Sequence, residues 1–367
     1  VPNNIVIVLF YVLVGTSLFF GLINLIRSNV YDVRQSKLRR ERAKHPHMRR
    51  LRQRPLTSVV VYANNDHRYI SGCLEALVNS SYKKLEIIVA DNASSDGTAK
   101  LVRQLIKKYP KLKIRLVAKK VRSSRSNAIG QAAKYAKGSL IAVIGANCTL
   151  DKQALKNSTL HLFHTDAEAV LLNTRTRHDY TIMGLADSLK SIMLGRAKKA
   201  GTLIIPGLDA NNYAAVYTRD AFSKVAASGG KGLGNINSLR RLNLRLAYES
   251  LAIASIHGLQ TSFSPTHVAS AYKPVAAIHI FRNILSICEP FLVAFMVYVA
   301  LEFSNPGYVA LAWLCFTFLF ALAIWADETK SPASKLWLTI LGLAAYSLYL
   351  LRQLSGYLNL LVRPVYR

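Results

Sequence analysis

The sequence predicts an α/β domain on a mostly parallel sheet, flanked by apolar helices of membrane-spanning length. Three features carry this reading. Between Thr57 and Leu150 short β-branched runs alternate with amphipathic stretches, as in a parallel sheet built from right-handed crossovers. Apolar and basic residues are segregated along the chain, which is 367 residues long and 51% hydrophobic yet carries a formal net charge of +29. Finally, Leu85 to Ala90 is a buried-strand pattern that runs straight into the polar, turn-forming edge Asp91-Asn92-Ala93-Ser94-Ser95-Asp96-Gly97-Thr98, where parallel sheets place ligand sites.

Taken in order, Ile5 to Ile26 is a charge-free apolar run of 22 residues, enough for a helix across a bilayer core of ~30 Å. It is longer than a signal-peptide core and lacks a basic leader, so a retained anchor is expected. Arg27 to Arg54 follows with eleven Lys/Arg against Asp32 and Glu41, which places the next domain in the cytosol by the positive-inside rule. Val59 to Tyr62 reads as the first strand, Tyr69 to Asn79 as a helix, Leu85 to Ala90 as the second strand and Ala99 to Tyr109 as a basic amphipathic helix. Ile114 to Val117, a helix over Ser126 to Tyr135 stopped at Gly138, and a fourth strand at Leu140 to Ile144 complete the alternation. Ala169 to Asn173 is a further strand, and Ser228 to Gly234 a loop rather than a phosphate site. After Lys273 the chain turns apolar again, with spans expected at Leu285 to Leu301, Pro306 to Trp325 and Leu336 to Leu351. Glu289 is costly inside the first of these. Four crossings would put Arg352, Arg363 and Arg367 outside, so one segment is expected to be re-entrant or interfacial. The resulting division is an anchor at residues 1–27, a basic segment at 28–56, an α/β domain at 57–273, and interfacial and membrane helices at 274–367.

The basic excess does not indicate nucleic acid. The densest charge directly follows an apolar helix, where it suits anionic lipid, and no aromatic-plus-basic motif or zinc spacing accompanies it. Cys73, Cys148, Cys288 and Cys315 are scattered without a paired spacing and read as buried thiols of a reduced compartment. The pairs His45/His47 and His161/His164 lack a carboxylate or thiolate companion, so no metal is expected there.

Val59 to Asp66, Asp91 to Thr98, Asn127 and Gly138 to Leu150 together resemble the nucleotide-binding half of family 2 glycosyltransferases of the GT-A fold, a Rossmann-like α/β architecture. Asn212 to Phe222, "NYAAVYTRDAF", resembles that family's acceptor-side strand and helix start. The resemblance covers roughly Thr57 to Pro265, flanked by membrane helices as in the family's membrane-bound synthases, and implies a nucleotide-sugar such as a UDP-sugar as ligand. It places Asp66 as the acid of the first-strand loop, Asp91 as the acid that reads base and ribose, and Asn127 at a helix start facing the nucleotide. Asp91 to Thr98 resembles the family's "DDGSxDGT", within which Asp96 is expected to cap the next helix.

Sugar transfer also needs a cation against the diphosphate and a carboxylate base. Where the family has a DxD after its fourth strand, this chain has Gly145-Ala146-Asn147, with no anionic oxygen for a hard cation. No divalent cofactor is therefore expected. The base slot falls on or near Ala247-Tyr248, leaving Glu249 as the only nearby acid. Glu249 is either a shifted base or, by preference, a helix-surface residue paired with Arg245 four positions before. The family's QxxRW is reduced to His279-Ile280-Phe281-Arg282-Asn283, in which only Arg282 persists. Three degraded motifs favour a catalytically silent homologue that serves as scaffold or partner subunit to an active glycosyltransferase in glycan synthesis. The alternative is a metal-independent transferase in which Arg122 or Arg125 replaces the cation and Glu249 is the base. A third reading is a membrane-surface binder using Arg27 to Arg54. The expected location is the plasma membrane, with the α/β domain in the cytosol.

Overall fold

In the computed structural model the described residues are 2–44, 55–110, 112–176, 214–227, 242–257, 307–326 and 335–341, with single positions between 185 and 199 and at 344. They belong to two compact units: one comprises residues 31–177 and 197–259, the other 1–30, 178–196 and 260–367.

The larger unit holds an eight-stranded sheet. Its elements are β1 (Thr57–Ala63), α2 (His67–Val78), β2 (Leu85–Asp91), α3 (Thr98–Lys108), β3 (Ile114–Ala118), α4 (Arg125–Ala133), β4 (Leu140–Gly145), β5 (Cys148–Leu150), α5 (Ala154–His164), β6 (Ala169–Thr176), β7 (Ala214–Thr218), α6 (Arg219–Ala227) and β8 (Leu246–Ile256). A further helix, α1, runs from Pro2 to Lys44. The strand order is β3-β2-β1-β4-β7-β6-β8-β5. β3, β2, β1 and β4 are mutually parallel, as their crossover helices require. Beyond β4 the sheet becomes mixed: β7 runs antiparallel to both β4 and β6, and β5 antiparallel to β8. β6 and β8 are parallel to each other, so their C-terminal ends lie at the same sheet edge as those of β1 to β4.

β1, β2 and β4 are continuous apolar runs because helices cover both sheet faces. Val59, Val61, Ile87 and Val89 point to one core with Ile70, Leu74, Leu77, Val102 and Leu105 of α2 and α3. Val60, Ile88, Ile141 and Val143 point to the other, with Ile129 and Ala132 of α4 and Phe222 of α6. At the N-terminal edge, Gly138 enters β4 where a Cβ would stand 2.5 Å from the Leu56 carbonyl and 2.7 Å from the Ser58 nitrogen. Buried Glu86 accepts hydrogen bonds there from the Ser58 hydroxyl and from the backbone N–H groups of Lys137 and Gly138, at 2.6 and 3.2 Å for the latter two. Gly138 is thus required by a close backbone approach, more than as a helix stop.

The expectation for Glu249 is corrected: it lies in strand β8, not on a helix surface. Arg245 instead meets Glu168, donating its backbone N–H at 3.1 Å. The helical reading failed because a bulge breaks the two-residue alternation. β8 pairs Glu249 with Leu172 and next pairs Ile253 with Asn173, so residues 250 to 252 are extra and Leu251 turns outward.

The smaller unit includes the helix α7 (Gly307–Trp325), and Ile324 packs there with Leu189, Ile192 and Leu338. Among the described residues no helix is long and apolar enough to cross a membrane, so the spans expected at 5–26, 306–325 and 336–351 gain no support from the structure. The span expected at 285–301, the loop at 228–234 and the residues His279, Arg282 and Asn283 lie outside the described residues.

Gly138→Ala should cost about 1–3 kcal/mol, because the groups it meets are backbone atoms that cannot turn aside. The check is the denaturant midpoint of the purified chain, expected to fall with an unchanged transition slope.

Candidate functional site

The C-terminal edge of β1, β2 and β4 gathers the polar residues singled out in the sequence. The loop after β1 and the loop after β2 are stitched together residue by residue. Asn64 donates its Nδ2 to the Asn92 carbonyl at 2.9 Å, and the Asn65 N–H donates to Ser94 Oγ at 2.9 Å. The Ser95 N–H donates to Asn65 Oδ1 at 2.8 Å, and the Asp66 N–H to Thr98 Oγ1 at 3.1 Å. These turns need left-handed backbone, which Asn65 (φ 57°), Ala93 (φ 58°) and Gly97 (φ 84°) supply. Ala93 stands where the resembled pattern has glycine and carries the strain of a Cβ in that region.

Asp96 accepts at the starts of two helices, although Gly97, not Asp96, is the cap residue of α3. Its Oδ2 accepts from the His67 N–H at the start of α2 at 2.9 Å, and its Oδ1 from the Thr98 N–H at 3.0 Å. Slight burial raises its pKa, but hydrogen bonds from the Thr98 hydroxyl, the His67 N–H and the Thr98 N–H outweigh this and hold it below the usual range.

Asp91 differs from its neighbours. It is 2% exposed, and its Oδ1 is buried with no hydrogen-bond partner. The side chains of Asn64, Asn65, Ser94, Asp96 and Thr98 are consumed by the stitching, whereas this oxygen at the end of β2 is left over. Asp66 sits across from it, with Oδ2 accepting from the Asn64 N–H at 2.8 Å. Its pKa is raised, chiefly by burial; the Asn64 hydrogen bond opposes this, the charge of Asp96 adds to it, and Arg125 draws it down.

The basic residues arrive on the segment between β3 and α4. Arg125 opens α4, and its Cζ lies 5.2 Å from the centre of the Tyr62 ring. Lys119 Nζ donates to Ser123 Oγ at 2.7 Å and to Asn127 Oδ1 at 2.8 Å. Asn127 therefore faces this basic segment, with its N–H on the capping Ser124 hydroxyl at 3.2 Å. Arg122 is exposed.

Sequence reasoning missed the residue that ties these pieces together, Asn92. It is 1% exposed and donates Nδ2 to the Ser123 carbonyl at 2.8 Å and to the Tyr62 hydroxyl at 3.2 Å, while its Oδ1 accepts from the Ser123 N–H at 3.0 Å. An aspartate, which the resembled pattern has at this place, could accept but not donate.

Gly145, Ala146 and Asn147 form the turn between β4 and β5. The Ala146 N–H donates to the Tyr62 carbonyl at 2.7 Å. Asn147 exchanges hydrogen bonds with His257: the His257 N–H donates to the Asn147 carbonyl at 2.8 Å, and Asn147 Nδ2 to the His257 carbonyl at 3.3 Å. The His257 ring stacks on Tyr69 at 6.1 Å and lies 3.0 Å from Thr149 Oγ1. This cluster, also missed, follows from the β5–β8 pairing, which sequence periodicity did not reveal. Burial pushes the Cys148 thiol up to about 12, so it offers no thiolate. Among the described residues no group of His, Cys, Asp and Glu is arranged to hold a metal ion. Gly145, Ala146 and Asn147 themselves carry no anionic oxygen for a hard cation.

Glu249 is not brought to this edge. It is 4% exposed; its Oε2 lies 2.8 Å from Nδ1 of buried His161 on α5, and its Oε1 accepts from the Leu251 N–H at 3.0 Å. Both oxygens are engaged inside the protein. Glu249 pairs with Leu172 and Ile256, the neighbour of the Asn147 turn, with Thr176, so the two are four strand steps or about 13 Å apart.

Residues 58–225 match the family described as Glycosyl transferase family 2. The chain is 28% identical over 120 residues to the glycosyltransferase AglE of Haloferax volcanii, a match covering 32% of this chain and 38% of that protein. It is 30% identical over 110 residues to the beta-monoglucosyldiacylglycerol synthase of Trichormus variabilis, covering 29% of this chain and 23% of the relative. The chain thus matches well under half the length of these curated relatives. A mannosyltransferase from Pyrobaculum calidifontis, solved with GDP-Man and Mn2+, superposes over 93% of this chain and 98% of that one, with a TM-score of 0.55 at 18% identity. A likeness at that identity establishes the fold, a mixed α/β, Rossmann-like GT-A architecture.

A raised Asp66 pKa means that ionisation weighs on the folded state: stability is fullest in acid and declines as pH rises through the folded value. Asp66→Asn, whose amide oxygen can still accept from Asn64, should raise the melting temperature at pH 7. Melts repeated toward pH 4 should show that gain shrinking away.

Proposed function

We infer that this chain, which carries a family 2 glycosyltransferase domain in the GT-A fold, binds a nucleotide-sugar at the Asp91 edge and is silent in sugar transfer. It would serve as a scaffold or partner subunit in glycan synthesis. The observation that carries the binding half is the buried, unpartnered Oδ1 of Asp91 at the end of β2. A buried carboxylate oxygen costs free energy until a donor reaches it, and the ring N–H of a base or a ribose hydroxyl is such a donor. Silence is supported by Glu249, whose oxygens are held by His161 and Leu251 away from that edge, and by the neutral turn Gly145-Ala146-Asn147.

The basic segment next to Asp91 favours one second reading, an active transferase that works without a cation. It would need a base other than Glu249.

We also propose that the protein works at a membrane, with its α/β domain in the cytosol beneath the plasma membrane. Val8, Val12 and Phe19 of α1 and Leu314 and Phe318 of α7 expose apolar side chains. The eleven basic residues of Arg27 to Arg54 suit anionic headgroups.

Purified chain should bind a UDP- or GDP-sugar by calorimetry, yet release no nucleotide from it over hours with lipid or glycan acceptors present. Steady release with product formation would overturn the silent assignment. Absence of binding to every nucleotide-sugar tried would overturn the nucleotide assignment.

A further inference from the structure

We propose that the flank of the α/β domain formed by β3 and the end of α4 is a docking surface for an anionic lipid bilayer. The proposal rests on the reading that the protein works at a membrane, and it names the face of the domain that meets the headgroups.

Charge is one-sided along this part of the chain. From Gly97 to Leu150 there are thirteen Lys/Arg and no Asp or Glu. β3 is the terminal strand of the sheet. Ile114 and Leu116 pack toward the core under α2 and α3, which puts Lys113 and Arg115 on the α4 side, both exposed. Arg115 reaches the residues that follow α4: its Cζ lies 4.9 Å from the centre of the Tyr135 ring. Tyr135 is itself exposed and stands between exposed Lys134 and Lys137. At the other end of β3, roughly 15 Å along the strand, Lys120-Val121-Arg122 is exposed throughout. Val121 is 77% exposed, the most of any large apolar side chain among the described residues.

Two features distinguish this flank from an ordinary solvated face. Among the described residues, Lys113, Lys120, Arg122, Lys134 and Lys137 have no ion-pair partner. Lysines on an edge strand guard against pairing with another strand. That accounts for Lys113, but Lys134 and Lys137 lie outside any strand, and an exposed Val121 works against such protection. A bilayer suits both kinds of residue: cations sit at the headgroups, while an apolar tip or a tyrosine ring enters the boundary with the acyl chains. A nucleic acid suits only the cations. Val121 offers no ring for a base to stack on, and Tyr135 already carries the Arg115 guanidinium against its ring.

The test is lysine acetylation of the full chain, read by mass spectrometry, on vesicles of phosphatidylcholine alone and on vesicles with phosphatidylglycerol added. Lys113, Lys120, Lys134 and Lys137 should react about fivefold or more slowly on the anionic vesicles, as where each cation gains one headgroup contact. Exposed Lys152, just after β5 at the opposite end of the sheet, should react equally on both. About 0.5 M salt should remove the difference. Lys120→Glu combined with Lys134→Glu should abolish the slowing at Lys113 and Lys137, and Val121→Asp should weaken it. Thermal melting shows whether each variant folds, and the comparison of the two lipids stands on the wild-type chain alone. Flotation of the chain with both vesicles but equal reactivity throughout would overturn the flank while leaving the membrane reading standing. Flotation with neither would overturn the membrane reading and the flank with it. Slowing by a polyuridine RNA, with none on anionic vesicles, would assign the flank to nucleic acid and overturn the proposal.

Discussion

A carboxylate oxygen removed from water must find a donor or destabilise the fold, by about 1–3 kcal/mol for a neutral group and more for a charged one. Nearly everything at the C-terminal sheet edge obeys this constraint. Asn64, Asn65, Asp66 and His67 are matched by Asn92, Ser94, Ser95, Thr98 and Asp96 across the two loops. Asp91 Oδ1 does not obey it. The surrounding stitching makes that departure informative: the two loops are bonded to each other, and none of these bonds reaches the oxygen. A site that holds one acceptor unsatisfied in a fixed place is preorganised for a ligand.

The same edge bears on the proposal that the reaction is lost and the ligand kept. The proposed nucleotide seat stands on β1, β2 and α4, whose side chains also build the two cores of the domain. The turn Gly145-Ala146-Asn147 joins β4 to β5, and Glu249 lies in β8. Asn147 satisfies itself against His257, and Glu249 against His161 and Leu251, so neither leaves a buried charge unpaired.

Much of the first half was legible because its strands are uniformly apolar and end in turn residues: β1, β2, β3 and β4 fall where the β-branched runs lie. β7 and the start of α6 were expected from the resemblance of Asn212 to Phe222, and they fall there. β5 and β8 were not legible. β5 has only three residues, and β8 contains a bulge that spoils its alternation and made Glu249 look helical. Within the site, Asp91, Asp96 and Arg125 stand out by residue type and position. Asn92 and His257 do not, because their importance comes from partners 31 and 110 residues away in the chain, Ser123 and Asn147, which only the fold brings into contact.

The most direct measurement is a crystal structure of the chain grown with a nucleoside diphosphate in the presence of chelator. The nucleotide should lie at the ends of β1 and β2, with a donor of its base or ribose within hydrogen-bond distance of Asp91 Oδ1. A nucleotide bound elsewhere, or an Asp91 carboxylate satisfied by the protein itself with the ligand out of reach, would contradict the account.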